Sequence, residues 1–307
     1  MLFHCPGLKL KNQKLPAPTV GLRDLRSCAF ICGTIDLLNA FANHGDGFGC
    51  AMLKRIDRCW RVFGVALSFI AIGVGGLMIF PLLHLVIRQR QRRQNIARDL
   101  IRLTFRAIVR SMCAFGVFQY HASGLSRLDR QGLLILANHP TLIDIVFLVA
   151  FVPRAECIVK EGLWRNPFTR ATVTAAGYIC NRGDSVRLVE DCIAAVRSGG
   201  NLIIFPEGTR TPADGSISLK RGAANIAVRV PCDITPVLVR CAPPMLVKGE
   251  PWWRLPAQTS QFRFDVMEDL AIGPIVDGAA NEVLAARRMT VQLRQIFARE
   301  SGHVAGN

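Results

Sequence analysis

A histidine and an aspartate follow a short apolar run in the segment LLILANHPTLID, residues 133–144. Pro140 restricts the backbone of His139 to extended or turn geometry, and a helix starting near Asp144 would turn the carboxylate toward the imidazole. The carboxylate would then accept the Nδ1 proton and leave Nε2 as a general base. A His-x4-Asp spacing also arises by chance, so a turn histidine with ordinary hydrogen bonds remains the alternative.

A second polar turn, FPEGTR, follows another apolar run at residues 205–210. Gly208 would let the backbone approach a ligand closely, while backbone amides and Arg210 would hold an anionic oxygen. Glu207 does not suit a pure anion site, and we expect it to orient a hydroxyl or to pair with Arg210 or Arg182. The alternative is a strand-end turn with a surface Glu–Arg pair.

Strand and helix patterns alternate after Gly124 and place both turns at the ends of strands. Strands are predicted at residues 133–137, 157–160, 178–180, 202–205, 234–239 and 262–266. Helices are predicted at residues 144–151, 167–176, 186–198, 219–229 and 279–300. This alternation predicts an α/β fold with a mostly parallel open sheet flanked by helices. In such sheets sites form at the carboxyl edge, where His139 and Glu207 would both lie.

Four segments occur in the order NHPTLID, GYICNR, FPEGTR and ITPV. They resemble the four sequence blocks of the glycerolipid acyltransferase superfamily, whose best-known bacterial members are 1-acylglycerol-3-phosphate acyltransferases. The resemblance extends over residues 125–270, and the first and third blocks match closely. The second block departs from the usual G-x-I-F-I-D-R pattern at Ile179, Cys180 and Asn181, and the fourth, which ends at Pro236, is loose.

The resemblance implies acyl transfer from a thioester of CoA or acyl carrier protein to a hydroxyl of a lysolipid such as 1-acylglycerol 3-phosphate. His139 would deprotonate that hydroxyl and Asp144 would orient His139, so that the alkoxide attacks the thioester directly. The lack of a G-x-S-x-G elbow agrees with a route that has no acyl-enzyme. Residues expected to bind the acceptor are Asn138, Lys160, Arg182, Glu207, Gly208, Thr209 and Arg210. No metal or cofactor is expected beyond the acyl donor.

The departures in the second block leave the acceptor open, because in the family this block faces the acceptor. One alternative is an acyltransferase for glycerol 3-phosphate or for a non-phosphatidate lysolipid. An alternative of another class is a catalytically silent membrane protein that binds lipid and keeps the fold.

Residues 62–87 contain no Asp, Glu, Lys or Arg over 26 positions. At ~1.5 Å per residue such a helix is long enough for a ~30 Å hydrocarbon core, so we predict a membrane segment. Pro81 would kink or break it, which allows a re-entrant shape, and a buried helix of a soluble core is the other alternative. Cations flank both ends with a small excess after the segment, which slightly favours a cytoplasmic catalytic domain. A bacterial-type inner membrane is what the resemblance implies.

A basic stripe follows the apolar segment, with Arg98, Arg102, Arg106 and Arg110 at every fourth position. We predict that this amphipathic helix lies on anionic headgroups, with a solvated helix face as the alternative. The predicted organisation is therefore a poorly ordered leader or over-extended start at 1–51, membrane-anchoring helices at 52–116 and an α/β acyltransferase domain at 117–307.

The overall charge of +16, from 38 Lys+Arg against 22 Asp+Glu, indicates anionic partners. No helix-turn-helix, RNP-like or finger pattern occurs, so the expected partners are an anionic membrane surface and an anionic donor rather than nucleic acid. The 11 cysteines are irregularly spaced and complete no zinc set, and they are predicted to be free thiols. An unrecognised redox or metal role for the N-terminal cysteines is the alternative.

Overall fold

The computed structural model describes residues 47–212, 218–230 and 232–302. Most of the predicted leader lies outside these residues, and the first described helix begins at Gly47, before Met52. The described helices are α1 (Gly47–Val86), α2 (Arg90–Ala114), α3 (Asp144–Phe151), α4 (Glu161–Arg165), α5 (Pro167–Ala176), α6 (Ser185–Arg197), α7 (Gly222–Arg229), α8 (Gly273–Asp277) and α9 (Glu282–Gly302). The described strands are β1 (Phe118–Ser123), β2 (Leu134–Ala137), β3 (Ala155–Lys160), β4 (Ile179–Asn181), β5 (Asn201–Ile204), β6 (Ile234–Ala242) and β7 (Ser260–Val266).

The described strands form one sheet in the order β1-β7-β6-β2-β5-β3-β4. Neighbouring strands run parallel except for β6 and β7, which are antiparallel. The predicted mostly parallel α/β fold is therefore confirmed. The carboxyl ends of β2, β3, β4 and β5 meet along one edge of the sheet, and the loops that follow them contain the first three sequence blocks.

The central strand β2 is buried on both faces because helices cover both sides of the sheet. Leu134 and Leu136 pack into the cluster on one face, while Ile135 and Ala137 pack into the cluster on the other. This explains why the strand is a continuous apolar run rather than an alternating one. Its two-sided burial holds the end of β2, and hence the start of the first block, in a fixed position.

Helix α1 runs without a break through Pro81, so the chain does not reverse at this residue as a re-entrant shape would require. One face of the helix packs against the rest of the protein and buries Arg61, Val65 and Phe80. The opposite face is exposed and apolar. Within the described residues, Met52–Val86 is the one helix that is long and apolar enough to cross a membrane.

The basic stripe on α2 is turned into the protein only over its first half, since Arg98 is buried and Arg102 half-buried while Arg106 and Arg110 are exposed. Arg98 is buried and pairs with Glu156 on β3 at 2.7 Å, so the predicted headgroup contact is wrong for this residue. Arg102 and Arg106 donate to the carbonyl of Ala150 near the end of α3. The last carbonyls of a helix lack partners within it, and arginines are suitable donors for them. The stripe thus supports the helix that begins with the aspartate of the first block.

Candidate active site

The side chains of His139 and Asp144 meet at the edge of the sheet, just beyond β2. His139 Nδ1 lies 2.9 Å from Asp144 Oδ2. The aspartate side chain is fully buried, while that of His139 is 16% exposed. The ring of Phe205 stacks on the imidazole with a centroid distance of 4.0 Å and an interplanar angle of 16°. The imidazole is therefore held on its face and at Nδ1, with the Nε2 edge available for a substrate.

Asp144 is also held by Thr141, which contributes two hydrogen bonds. The backbone amide of Thr141 donates to Asp144 Oδ2 at 2.7 Å, and its hydroxyl donates to Oδ1. Burial raises the pKa of Asp144, while the hydrogen bonds from His139 and Thr141 oppose this rise. The sequence interpretation missed Thr141, although Thr-x-x-Asp before an apolar run is a known helix-start pattern that would have indicated it.

Glu207, in the third block, and Thr211, just after it, form hydrogen bonds with the backbone amide and carbonyl of His139. Glu207 Oε1 accepts a hydrogen bond from the His139 backbone amide at 3.0 Å, and the backbone amide of Thr211 donates to the His139 carbonyl at 2.7 Å. The Thr211 hydroxyl donates to the same Glu207 oxygen at 2.9 Å. Glu207 therefore has other partners than the expected Arg210 or Arg182. Burial raises its pKa, and the hydrogen bonds from His139 and Thr211 oppose that rise.

Arg210 is bound to a neighbouring loop rather than held free at the turn. Its NH1 nitrogen donates to the carbonyls of Leu246 and Val247, both at 3.0 Å. Gly208 adopts a left-handed conformation with φ of +67°, and a Cβ there would lie 3.0 Å from the side chain of Lys220. Lys220 is therefore a cation at the third block that the sequence interpretation missed.

Thr209 and Asn138 were also expected to bind the acceptor. Thr209 lies in the third block, and Asn138 directly follows β2. Thr209 is half-buried in the third block. Asn138 is buried, and its amide makes two hydrogen bonds with the backbone of Val239 on β6, at 2.8 Å and 2.7 Å. These bonds extend the pairing of β2 with β6 by one residue and hold the loop that contains His139.

Lys160 and Arg182 lie together at the other end of the same edge. Lys160 pairs in register with Asn181, the residue before Arg182, and all three are exposed. At ~4.8 Å per strand, β3 and β4 lie about 10 Å and about 14 Å from β2 along the sheet. Asn181 Oδ1 accepts from the Gly183 backbone amide at 3.1 Å, so the residue that replaces the usual aspartate shapes the turn around Arg182.

None of the cysteines at positions 59, 113, 157, 180, 192, 232 and 241 forms a disulfide, and no cluster of three or more potential metal ligands occurs in the described residues. The N-terminal cysteines at positions 5, 28 and 32 lie outside them.

Comparisons with known proteins show the family of this chain. A family model described as Acyltransferase matches residues 119–240, which include all four blocks. The chain is 30% identical over 176 residues to the 1-acyl-sn-glycerol-3-phosphate acyltransferase of Helicobacter pylori, covering 55% of this chain and 68% of that protein. Identity to the enzyme of the same name from Pseudomonas aeruginosa is 24% over 149 residues, covering 44% of this chain and 58% of that protein.

The same fold occurs in a solved structure. The crystal structure of the 1-acyl-sn-glycerophosphate acyltransferase PlsC from Thermotoga maritima matches with a TM-score of 0.63 at 19% identity, covering 83% of this chain and 98% of that chain. This likeness shows the fold, while the family model and the Helicobacter pylori relative show the family. The chain belongs to the glycerolipid acyltransferase superfamily of 1-acylglycerol-3-phosphate acyltransferase-like proteins.

Proposed function

We propose that this chain is a membrane-bound O-acyltransferase that moves a fatty acyl group from acyl-CoA or an acyl carrier protein to a lysophospholipid hydroxyl. The main observation is the contact of 2.9 Å between His139 Nδ1 and Asp144 Oδ2 at the carboxyl edge of the sheet. The names of the relatives support 1-acylglycerol 3-phosphate as the acceptor, because several are 1-acyl-sn-glycerol-3-phosphate acyltransferases.

In this mechanism Asp144 accepts a hydrogen bond from the Nδ1–H of His139, which keeps the proton on Nδ1 and leaves Nε2 unprotonated and able to act as the base. Nε2 takes the proton of the acceptor hydroxyl while its oxygen attacks the thioester carbonyl carbon. The tetrahedral intermediate then expels the thiolate, which recovers the proton from Nε2 and leaves as a thiol. One C–O bond forms and one C–S bond breaks. The negative charge of Asp144 stabilises the imidazolium formed between these steps.

The acceptor phosphate is assigned to the exposed cations along the edge. The side chains of Lys160 and Arg182 have no hydrogen-bond or ion-pair partner within the described residues, and Lys160 ends β3 while Arg182 directly follows the adjacent strand β4. An unpaired arginine suits a phosphate because its guanidinium can donate two parallel hydrogen bonds. Arg210 is a weaker candidate, since one of its nitrogens already holds two carbonyls.

Membrane attachment is assigned to the exposed face of α1. This face is a row of large apolar side chains that includes Phe63, Leu67, Ile70, Val74 and Met78. Because the other face is packed on the α/β domain, the helix presents one apolar side, which suits insertion along a membrane surface. A bacterial-type inner membrane with a cytoplasmic catalytic domain remains our proposal for the location.

An acceptor and donor panel tests this function. Membranes containing the protein would be supplied with labelled acyl-CoA or acyl carrier protein thioesters and with lysophosphatidate, glycerol 3-phosphate or an amine-bearing lysolipid. We expect lysophosphatidate to be acylated, and His139→Ala to lower kcat/KM by at least ~10²-fold. His121→Ala is the matched control, because this exposed histidine lies on the edge strand β1. Activity that survives His139→Ala would contradict the mechanism.

A further inference from the structure

Two adjacent tryptophans are exposed in the loop between β6 and β7. Trp252 is 39% exposed and Trp253 is 56% exposed, and their rings are perpendicular at a centroid distance of 5.6 Å. Single exposed apolar side chains are ordinary, but a contiguous apolar patch marks an interaction surface. Whether the tryptophans belong to such a patch depends on what lies beside them.

The segment around the tryptophans is fastened to α1 at two points. The buried guanidinium of Arg61 donates to the carbonyls of Pro256 and Ala257, at 3.1 Å and 3.0 Å. The ring of Trp252 meets that of Phe69 edge-on at 6.2 Å. Arg61 and Phe69 are eight residues apart, which is about 12 Å along the helix. Residues 251–257, which we call the tryptophan loop, therefore follow the helix over about two turns.

The tryptophan loop thus extends the exposed apolar face of α1. Next to Phe69 that face includes Leu67 and Ile70, which are 42% and 59% exposed. Lys248 and Arg254, on either side of the tryptophans, are also exposed. Glu250 is also exposed and pairs with Arg254 at 3.9 Å, which leaves Lys248 as the unpaired cation of these three. Exposed tryptophans beside a long apolar helix face, with a small excess of cations around them, match the chemistry of a membrane–water interface.

We propose that the tryptophan loop is a second membrane contact, in which Trp252 and Trp253 insert at the headgroup level of an anionic phospholipid surface. This contact presupposes the attachment through α1 proposed above. The indole rings would bury their apolar bodies among the upper acyl chains and keep their N–H groups among the headgroups. Lys248 and Arg254 would face the headgroup phosphates.

Leu246 and Val247, which precede this loop, accept hydrogen bonds from the first and third blocks. The backbone amide of Leu142, in the first block, donates to the Leu246 carbonyl at 3.1 Å. Arg210, in the third block, donates to the carbonyls of Leu246 and Val247. A membrane contact at Trp252 and Trp253 would therefore hold the site entrance at the depth where a lysolipid headgroup lies.

Fluorescence quenching tests the contact in the full chain. Trp60→Phe and Trp164→Phe leave Trp252 and Trp253 as the reporters, because the chain has four tryptophans. Vesicles of phosphatidylglycerol and phosphatidylethanolamine would be prepared with and without brominated acyl chains. We expect at least twofold lower emission in the brominated vesicles. A control with all four tryptophans replaced by Phe, and Val283→Trp on the distant helix α9, should show no quenching.

The outcomes separate the loop from the attachment through α1. A chain that sediments with vesicles but shows unquenched loop tryptophans would overturn the loop contact alone. A chain that does not sediment would overturn both. Should Trp252→Ser with Trp253→Ser convert a dimer into a monomer in detergent, the loop would be a contact between two copies and the inference would fail.

Kinetics supply a second readout that a general packing role would not reproduce. We expect Trp252→Ala with Trp253→Ala to raise the apparent KM for a long-chain lysolipid in vesicles about fivefold, because the site entrance would no longer be held at the lipid surface. The KM for a water-soluble short-chain acceptor should be unchanged, and Val283→Ala should change neither value. An equal rise for both acceptors would place the tryptophans in the substrate site and overturn the proposal.

Discussion

The loops after β2 and β5 differ sharply from the loop after β4, although all three lie on one edge of the sheet. The first two are partly buried and joined to each other, since the Glu207 side chain accepts from the His139 backbone amide and the Thr211 amide donates to the His139 carbonyl. The third is exposed, and its hydrogen bonds are local. Asn181 accepts from the amide of Gly183, and Asp184 accepts from the first amides of α6.

This difference indicates that the loops after β2 and β5 hold the catalytic pair, while the loop after β4 is left to bind the acceptor. The geometry of the His–Asp pair is built by contacts within the protein and does not require a substrate. The second block keeps Arg182 exposed and without a partner in the described residues, so its side chain remains available to a ligand. The departures from the family pattern at Ile179, Cys180 and Asn181 form strand β4, and the last of them, Asn181, is exposed beside Arg182. The chemistry is therefore expected to follow the family, while acceptor preference is the property free to differ.

The largest effect should come from removing the charge of the buried acid. Asp144→Asn would place an amide against His139 Nδ1 and favour the tautomer that has a proton on Nε2. That form cannot act as a base, so we expect kcat to fall by about 10²- to 10⁴-fold. Steady-state assays on a lysophosphatidate acceptor would measure the loss. Asp99→Asn, an exposed acid on α2, is the control. Retention of more than a tenth of the activity would contradict the assigned role.

The same variant should change how stability depends on pH. Burial raises the pKa of Asp144 above its ordinary value of 3.8. The contribution of this group to the free energy of unfolding is therefore full below the ordinary value, and it is lost as pH rises through the higher folded-state pKa. The amide introduced by Asp144→Asn cannot ionise, so the variant lacks this loss. We expect its Tm to rise relative to wild type as pH increases from about 4 to neutrality. A Tm difference that is constant over this range would contradict a raised pKa.

Substitution of Glu207 should have an intermediate effect on kcat, and it tests the hydrogen bond that Glu207 accepts from the His139 backbone amide. Glu207→Gln keeps an oxygen that can accept from His139 and Thr211, so we expect kcat within about threefold of wild type. Glu207→Ala leaves the buried His139 amide without its partner, at a cost of about 1–3 kcal/mol, and we expect about 10- to 100-fold lower kcat. A Gln variant as inactive as the Ala variant would show that the charge of Glu207 is needed, which would favour a direct role toward substrate.

The fold was largely predictable because its main elements have strong local patterns. The buried strands β2 and β5 are continuous apolar runs bounded by turns, and both were predicted close to their observed positions. Strand β1 was missed because half of its residues, FQYHAS, are polar and only Phe118 is buried at this edge of the sheet, so no continuous apolar run marks it. Helix α4 was missed because five residues are too few to show helical periodicity.

The partners within the site were less predictable for a different reason. The His139–Asp144 contact joins residues five apart, so local turn geometry was enough to suggest it. Glu207 reaches the His139 amide across 68 residues, and Arg210 reaches the Leu246 carbonyl across 36. Backbone amides and carbonyls occur at nearly every residue, so no residue type marks them as partners. Such contacts follow from how the strands are ordered in the sheet, which the sequence alone does not specify.

The smallest expected effect concerns Arg182, in the exposed loop after β4. Arg182→Ala should raise the KM for a phosphate-bearing acceptor about tenfold and change kcat little, because it removes a binding contact that is similar in the ground state and the transition state. Arg187→Ala is the matched control, since this exposed arginine lies on the following helix, α6. An acceptor without a phosphate should bind equally well to both variants. If KM for the phosphate-bearing acceptor stayed unchanged, headgroup recognition would not involve Arg182, and the proposed division between a closed catalytic pair and an open recognition loop would fail at this residue.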